Sequence, residues 1–336
     1  MRDGELLGWS TGLLVALDEL APGLIRRVVV AAPIVRQAIF LTLAHWSALP
    51  TFGPEAPSRS VATSTAETLR SGRAKDIVAH QFGAVPEGLL GALERIGPNP
   101  LHEPHCYARL WAFFTDRDRR KATALREVGK TTASALWVLD TLDPLLLHAE
   151  VLKRIETVQQ AHDLNRSIRL LKSVCSAATD EAISRAIAGM RGPEALSRLV
   201  HRFLRRADRF PPHPIVGDHE LRPLTSAREF IEASRAYRNC LATMIGEALM
   251  GRVAFAELAT ASVNATCEFR PLSGGCGWLL TDVHTARNGI VSTDLRETAQ
   301  QKCAEVGVPH IAVPEAHDWR SVRRMVRRAD PFAFAA

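Results

Sequence analysis

The chain has 336 residues, 46% of them hydrophobic and 23% charged, with a formal net charge of +6. That balance belongs to a folded globular protein long enough for two domains, and it excludes a disordered, collagen-like or disulfide-stapled chain. Six cysteines (106, 175, 240, 267, 276, 303) with no CxxC pair read as reduced thiols, mostly buried, of a cytoplasmic protein.

Residues 1–49 read as two or three apolar helices broken at Pro22-Gly23 and Pro33. The apolar run Val28–Leu49 is interrupted by Arg36, Gln37 and His45, so no window of ~18 residues is free of strongly polar groups. A buried core helix is expected there and no membrane span. Asp3 and Glu5 argue against a secretory leader. Residues 50–62 are proline-rich and read as a linker. From 63 to 210 the pattern is a string of short helices. Breaks are expected at Pro86, Gly97–Pro100, Pro104, Asp116, Gly129, Asp143-Pro144, Thr179-Asp180 and Gly192-Pro193. A faint self-similarity at an offset of 44 to 46 residues leaves two options open, an irregular multi-helix bundle or a short HEAT-like array. A second proline-rich stretch, 211–218, ends this region.

Residues 225–313 change character. Ser226 with Glu229 forms a capping box, and Phe230, Ala233, Tyr237, Cys240, Leu241, Met244 and Ala248 then recur at helical spacing up to a stop at Gly251. Three strands follow: one from Val253, one over Ala265–Leu272 and one over Trp278–Ala286. A glycine-rich turn at 273–277 and a tight turn at Asn288-Gly289 punctuate them. A closing helix opens at Asp294 and stops at Gly307. The expected fold is therefore mainly α with a C-terminal α+β part, its small three-stranded antiparallel sheet flanked by helices. A last amphipathic helix is expected over 318–330.

The positive charge is concentrated on two helices. Arg198, Arg202, Arg205, Arg206 and Arg209 lie on one side of the first, opposite Leu196, Leu199, Val200, Phe203 and Ala207. Arg320, Arg323, Arg324, Arg327 and Arg328 fill one sector of the second. The net charges of 191–209 and 315–330 together equal the whole formal excess of the chain. Guanidinium groups on a rigid face make paired hydrogen bonds to phosphate oxygens, so these ten arginines are the candidate nucleic-acid contacts. A solvated polar face opposite a core stripe has the same pattern.

Signals for chemistry are sparse. Asp282 and His284 share a strand face, and with Glu268 on a neighbouring strand they would suit a metal-dependent hydrolase or nuclease. Alternating polar residues on a half-exposed strand look alike. Cys276 in Gly-Gly-Cys-Gly is the thiol expected to be exposed, with His284 a candidate base across the hairpin. His102, His105 and Cys106 gather three potential metal ligands in five residues. A structural zinc site needs a second pair, and none of that quality appears along the sequence, although Cys175 or His148 could supply one in space; the stretch reads as a polar inter-helix loop without a metal. No cofactor is expected, since the Walker, GxGxxG and HExxH patterns are all absent from the sequence.

The block 225–313 resembles the PcfJ-like proteins of conjugative plasmids and mobile elements. The matching features are the capped helix leading into Arg238-Asn239-Cys240-Leu241, the turn at Gly251, the hairpin, the strand reaching Arg287-Asn288 and the closing helix. Where that family carries a tyrosine shortly after the cysteine, this chain has Met244. The resemblance implies a bacterial accessory protein of a plasmid or mobile-element system, with no established reaction. Sequence and resemblance together lead to a nucleic-acid-associated protein that contacts the phosphate backbone and meets protein partners of the same system. The alternatives are the hydrolase above and a non-catalytic interaction scaffold.

Overall fold

The computed structural model describes residues 7–49, 57–260 and 264–310. The chain divides into two compact units, residues 1–169 with 179–200, and residues 170–178 with 201–336. Of the linker expected at 50–62, residues 50–56 lie outside the described residues and 59–62 are the first residues of a helix.

The first unit is helical throughout its described residues. Its elements are α1 (Thr11–Leu20), α2 (Leu24–Val30), α3 (Pro33–Ser47), α4 (Arg59–Ser71), α5 (Ala74–Phe82), α6 (Leu89–Glu94), α7 (Pro104–Thr115), α8 (Arg120–Arg126), α9 (Ala133–Thr141) and α10 (Ala149–Leu152). They are followed by α11 (Val158–Val174), α12 (Asp180–Ala188) and α13 (Ala195–Leu204), and α11 and α13 carry the chain into the second unit. Helix α3 explains the apolar run near the start of the chain. Its residues 36 to 44 are buried on every side, and it packs against α5, α6 and α7. Among the described residues no helix is long and apolar enough to cross a membrane. The helix boundaries follow local chemistry: Pro33 and Pro104 open α3 and α7 where a missing N–H costs nothing, and Ser58, Thr132 and Thr179 cap α4, α9 and α12.

Two buried polar residues at the start of α3 organise the loop 97–101. Gln37 Nε2 donates to the carbonyls of Gly97 (2.8 Å) and Asn99 (2.7 Å), and Arg36 donates to that of Pro98 (2.8 Å). The buried Tyr107 hydroxyl donates to Gln37 Oε1 (2.5 Å) and accepts from Leu101 N (3.0 Å), while Trp9 Nε1 donates to Leu101 O (2.8 Å). Burying such groups is costly unless they are bonded, so the network fixes one conformation of this loop.

The second unit has four strands, ordered β1 (Leu221–Pro223), β2 (Ala254–Ala259), β3 (Asn264–Pro271) and β4 (Trp278–His284), every neighbouring pair antiparallel. The sequence expectation of three strands missed β1. Three residues ending in proline show no alternation, and proline is tolerated there because β1 is an edge strand, pairing Arg222 with Glu257. One sheet face buries Ala256, Cys267, Phe269, Leu280 and Val283 with Leu295, Ala299 and Cys303. These last three project from α16 (Thr293–Glu305). The other face buries Phe255 against Phe230, Ala233 and Tyr237 of α14 (Ala227–Tyr237) and Leu249 of α15 (Ile245–Leu249). The result is a helix–sheet–helix arrangement.

The single helix expected from Ser226 to Gly251 is two. Arg238 adopts φ 49 and ends α14. Ser234 Oγ donates to Asn239 O (2.6 Å) and Asn239 Oδ1 accepts from Leu241 N (3.2 Å), so side chains compete successfully with the helical ladder. Cys240 is consequently exposed rather than part of an apolar stripe. The tight turn after β4 sits one residue earlier than expected: Arg287 and Asn288 take positive φ (58 and 52) and Gly289 does not.

Candidate nucleic-acid interface

The apolar side of α13 is anchored by Leu199 and Phe203, with Ala207 buried just beyond, which leaves Arg198, Arg202, Arg205, Arg206 and Arg209 exposed. They do not form one continuous helical face. The helix ends at Leu204, so Arg205 and Arg206 stand in the turn that follows and Arg209 lies beyond it. Three of the five are engaged. Arg198 donates to Arg191 O (2.6 Å) with Glu194 3.9 Å away, Arg202 lies 5.5 Å from the centre of the Phe203 ring, and Arg209 donates to Lys172 O (3.5 Å). The guanidinium groups of Arg205 and Arg206 make no hydrogen bond or ion pair with any described residue. The second arginine helix, with Arg320, Arg323, Arg324, Arg327 and Arg328, lies outside the described residues.

A different partner faces Arg205 and Arg206. They border a cavity of about 470 Å³ together with Asp208, Ser226, Arg228, Ile231, Glu232 and Arg235. Residues 228, 231, 232 and 235 are the i, i+3, i+4, i+7 row of α14, on the side turned away from Phe230, Ala233 and Tyr237. Ser226 Oγ accepts from Glu229 N (3.3 Å), and Glu229 Oε2 accepts from Thr225 N (2.8 Å), so the helix start beside the cavity is fixed at both ends of its cap.

Both acids of the cavity are already satisfied. Glu232 pairs with Arg228 (2.7 Å). Asp208 accepts from Ser176 N (2.8 Å) and from the Ser176 hydroxyl, bonds that hold its carboxyl below the usual range. Arg205, Arg206 and Arg235 therefore remain as three cations uncommitted to any described hydrogen bond or ion pair around one hollow. Arg228 and Arg235 are not among the arginines that the sequence pattern singles out. The available signal was their spacing of seven on a capped helix, obscured because Glu232 sits between them.

The strand cluster is brought together. Glu268 faces Asp282 in the β3–β4 register, and His284 Nε2 lies 3.3 Å from Glu268 Oε2 and 3.9 Å from Asp282 Oδ2. Glu268 also accepts from Arg270 (2.8 Å), and Asp282 accepts from the backbone N–H of Val283 (2.9 Å). Burial alone would raise the Glu268 carboxyl, but the bonds from His284 and Arg270 outweigh it and hold the group below its ordinary value. A carboxylate depressed in the folded state contributes stability above its unfolded pKa, about 4.3, and that contribution is lost as pH falls through the lower folded value. The denaturant midpoint of the wild-type protein should therefore fall as pH is lowered from about 5 toward 3. Glu268→Gln should flatten that acid limb, and an unchanged limb would show that the ion cluster does not couple to folding.

Cys276 is exposed, as expected, but so is Cys240, and the pairing of Cys276 with His284 fails. Cys276 lies two residues before β4 and His284 is its last residue, so the length of this seven-residue strand, roughly 20 Å at 3.3 Å per residue, stands between them. Around the start of α7, His102, Glu103 and Cys106 bring their donor atoms within 4.8 Å of one another. His105 is not in that set: its Nε2 lies 2.5 Å from Glu103 Oε2, and its ring packs edge-on to Trp137. Burial pushes the Cys106 thiol up, with the Glu103 charge adding and Arg109 opposing.

No family model, curated protein or solved structure matches the chain.

Proposed function

We propose that the protein binds the phosphate backbone of nucleic acid through the hollow formed by Arg205, Arg206, Arg228 and Arg235. The observation that carries the reading is the set of three uncommitted guanidinium groups gathered around one cavity whose two acids are already bonded, Glu232 to Arg228 and Asp208 to Ser176. A compact cationic hollow of this kind suits an accessory role, in line with the resemblance of residues 225–313 to PcfJ-like proteins of plasmid and mobile-element systems. Contacts of this kind position a polyanion without reading its sequence.

The test is fluorescence anisotropy of the full chain with labelled oligonucleotides, single-stranded and duplex, over a salt series. Three or four phosphate contacts predict a loss of duplex affinity of about 40- to 150-fold between roughly 50 and 200 mM salt, with little dependence on sequence. A binding constant indifferent to salt would end the reading.

A further inference from the structure

We infer that His102, Glu103 and Cys106 form a binding site for one borderline divalent metal ion of the zinc class, independent of the arginine hollow. The donor atoms already lie within 4.8 Å of one another, and they come from three side-chain types that zinc and cobalt accept together. Metal–ligand bonds of about 2.0–2.3 Å in a tetrahedral site put donors about 3.3–3.8 Å apart, so side-chain torsions need to close the set by only about 1 Å. His102 is the exposed member and is free to make that adjustment.

Two further observations set this cluster apart from a polar loop. The segment that delivers His102 and Glu103 is fixed by the buried Gln37–Tyr107 network on one side and by the start of α7 on the other. A site held this way has its donors arranged before the ion arrives. In addition, His105 occupies the second oxygen of Glu103, orienting that carboxylate as outer-shell partners of metal ligands do. Cys106 is the third residue of α7 and fully buried. When its sulfur–metal bond forms, the thiol proton leaves to solvent, and the thiolate and the Glu103 carboxylate balance the charge of a divalent ion. The fourth position falls to water or an exogenous ligand.

The experiment is a cobalt(II) titration of the full chain in a Cys240→Ser/Cys276→Ser background, which removes the two exposed thiols. One equivalent should bind with a thiolate-to-cobalt absorption band in the near ultraviolet and tetrahedral ligand-field bands in the visible. His102→Ala, at an exposed position that leaves the fold intact, should weaken binding more than tenfold. His105→Gln should weaken it about 10- to 100-fold while keeping the band. Cys106→Ser should abolish the band. Absence of the charge-transfer band in the parent, or its persistence unchanged in His102→Ala, overturns the assignment even where Cys106→Ser proves too unstable to study.

Discussion

The double variant Arg205→Glu/Arg206→Glu should bind labelled DNA at least about a hundredfold more weakly than the wild type at roughly 50 mM salt. Each hydrogen bond to a charged group contributes about 1.5–3 kcal/mol, and the two substitutions remove two such donors and replace them with repelling charges. The slope of log affinity against log salt should become shallower by nearly two, as counterion release from two phosphates is lost. Net charge alone would also weaken binding, so the comparison is Arg59→Glu/Arg70→Glu. That pair, exposed on α4 of the other compact unit, changes the net charge by the same amount. It should cost only a few-fold. Equal losses in both variants would mean diffuse attraction to a basic protein, and no loss in the first would remove the hollow from the mechanism.

The helices of the first unit were readable because their breaks are written in proline, glycine and capping residues, and these act locally. Pro33, Pro104, Thr132 and Thr179 each set a boundary within a turn of its expected place. Strands β2, β3 and β4 were readable for a similar reason, bounded by turn residues. What could not be read depended on partners distant in the chain. Strand β1 exists only because β2 offers it an edge. The end of α14 depends on Ser234 and Asn239 outcompeting an apolar periodicity that runs on past them. Periodicity names a face but not the point where the helix stops, and so the five arginines from Arg198 to Arg209 looked like one row when two of them stand in a turn. The hollow itself was out of reach for the same reason: Arg205 and Arg228 are brought to one cavity by tertiary packing. Conversely, strand alternation alone puts Asp282 and His284 on one face, and the β3–β4 register brings Glu268 to them.

The arginine row of α14 is only as well placed as the helix beneath it, and Phe230 is what seats that helix. Its side chain is fully buried, stacked on Phe210 at 5.4 Å between ring centres and edge-on to Phe255 of β2 at 5.7 Å. Phe230→Ala should therefore destabilise the protein by about 3–5 kcal/mol, the usual loss when a buried aromatic leaves a cavity. That is a large part of the roughly 5–15 kcal/mol by which a domain is stable, so the variant should show an early denaturant transition where the second unit unfolds. Phe230→Leu keeps most of the buried volume and should lose clearly less. Because Arg228, Glu232 and Arg235 lie on the opposite side of the same helix, Phe230→Ala should also weaken polyanion binding under conditions where it is still folded. The charge-reversed pair should do the reverse, losing affinity with its denaturant midpoint unchanged, since both guanidinium groups are exposed and unbonded to any described residue. A Phe230→Ala midpoint within about 1 kcal/mol of wild type would mean that the aromatic trio does not hold α14 on the sheet. Normal affinity in a destabilised but folded variant would instead mean that Arg228 and Arg235 contribute nothing to the phosphate contact, leaving Arg205 and Arg206 to make it alone.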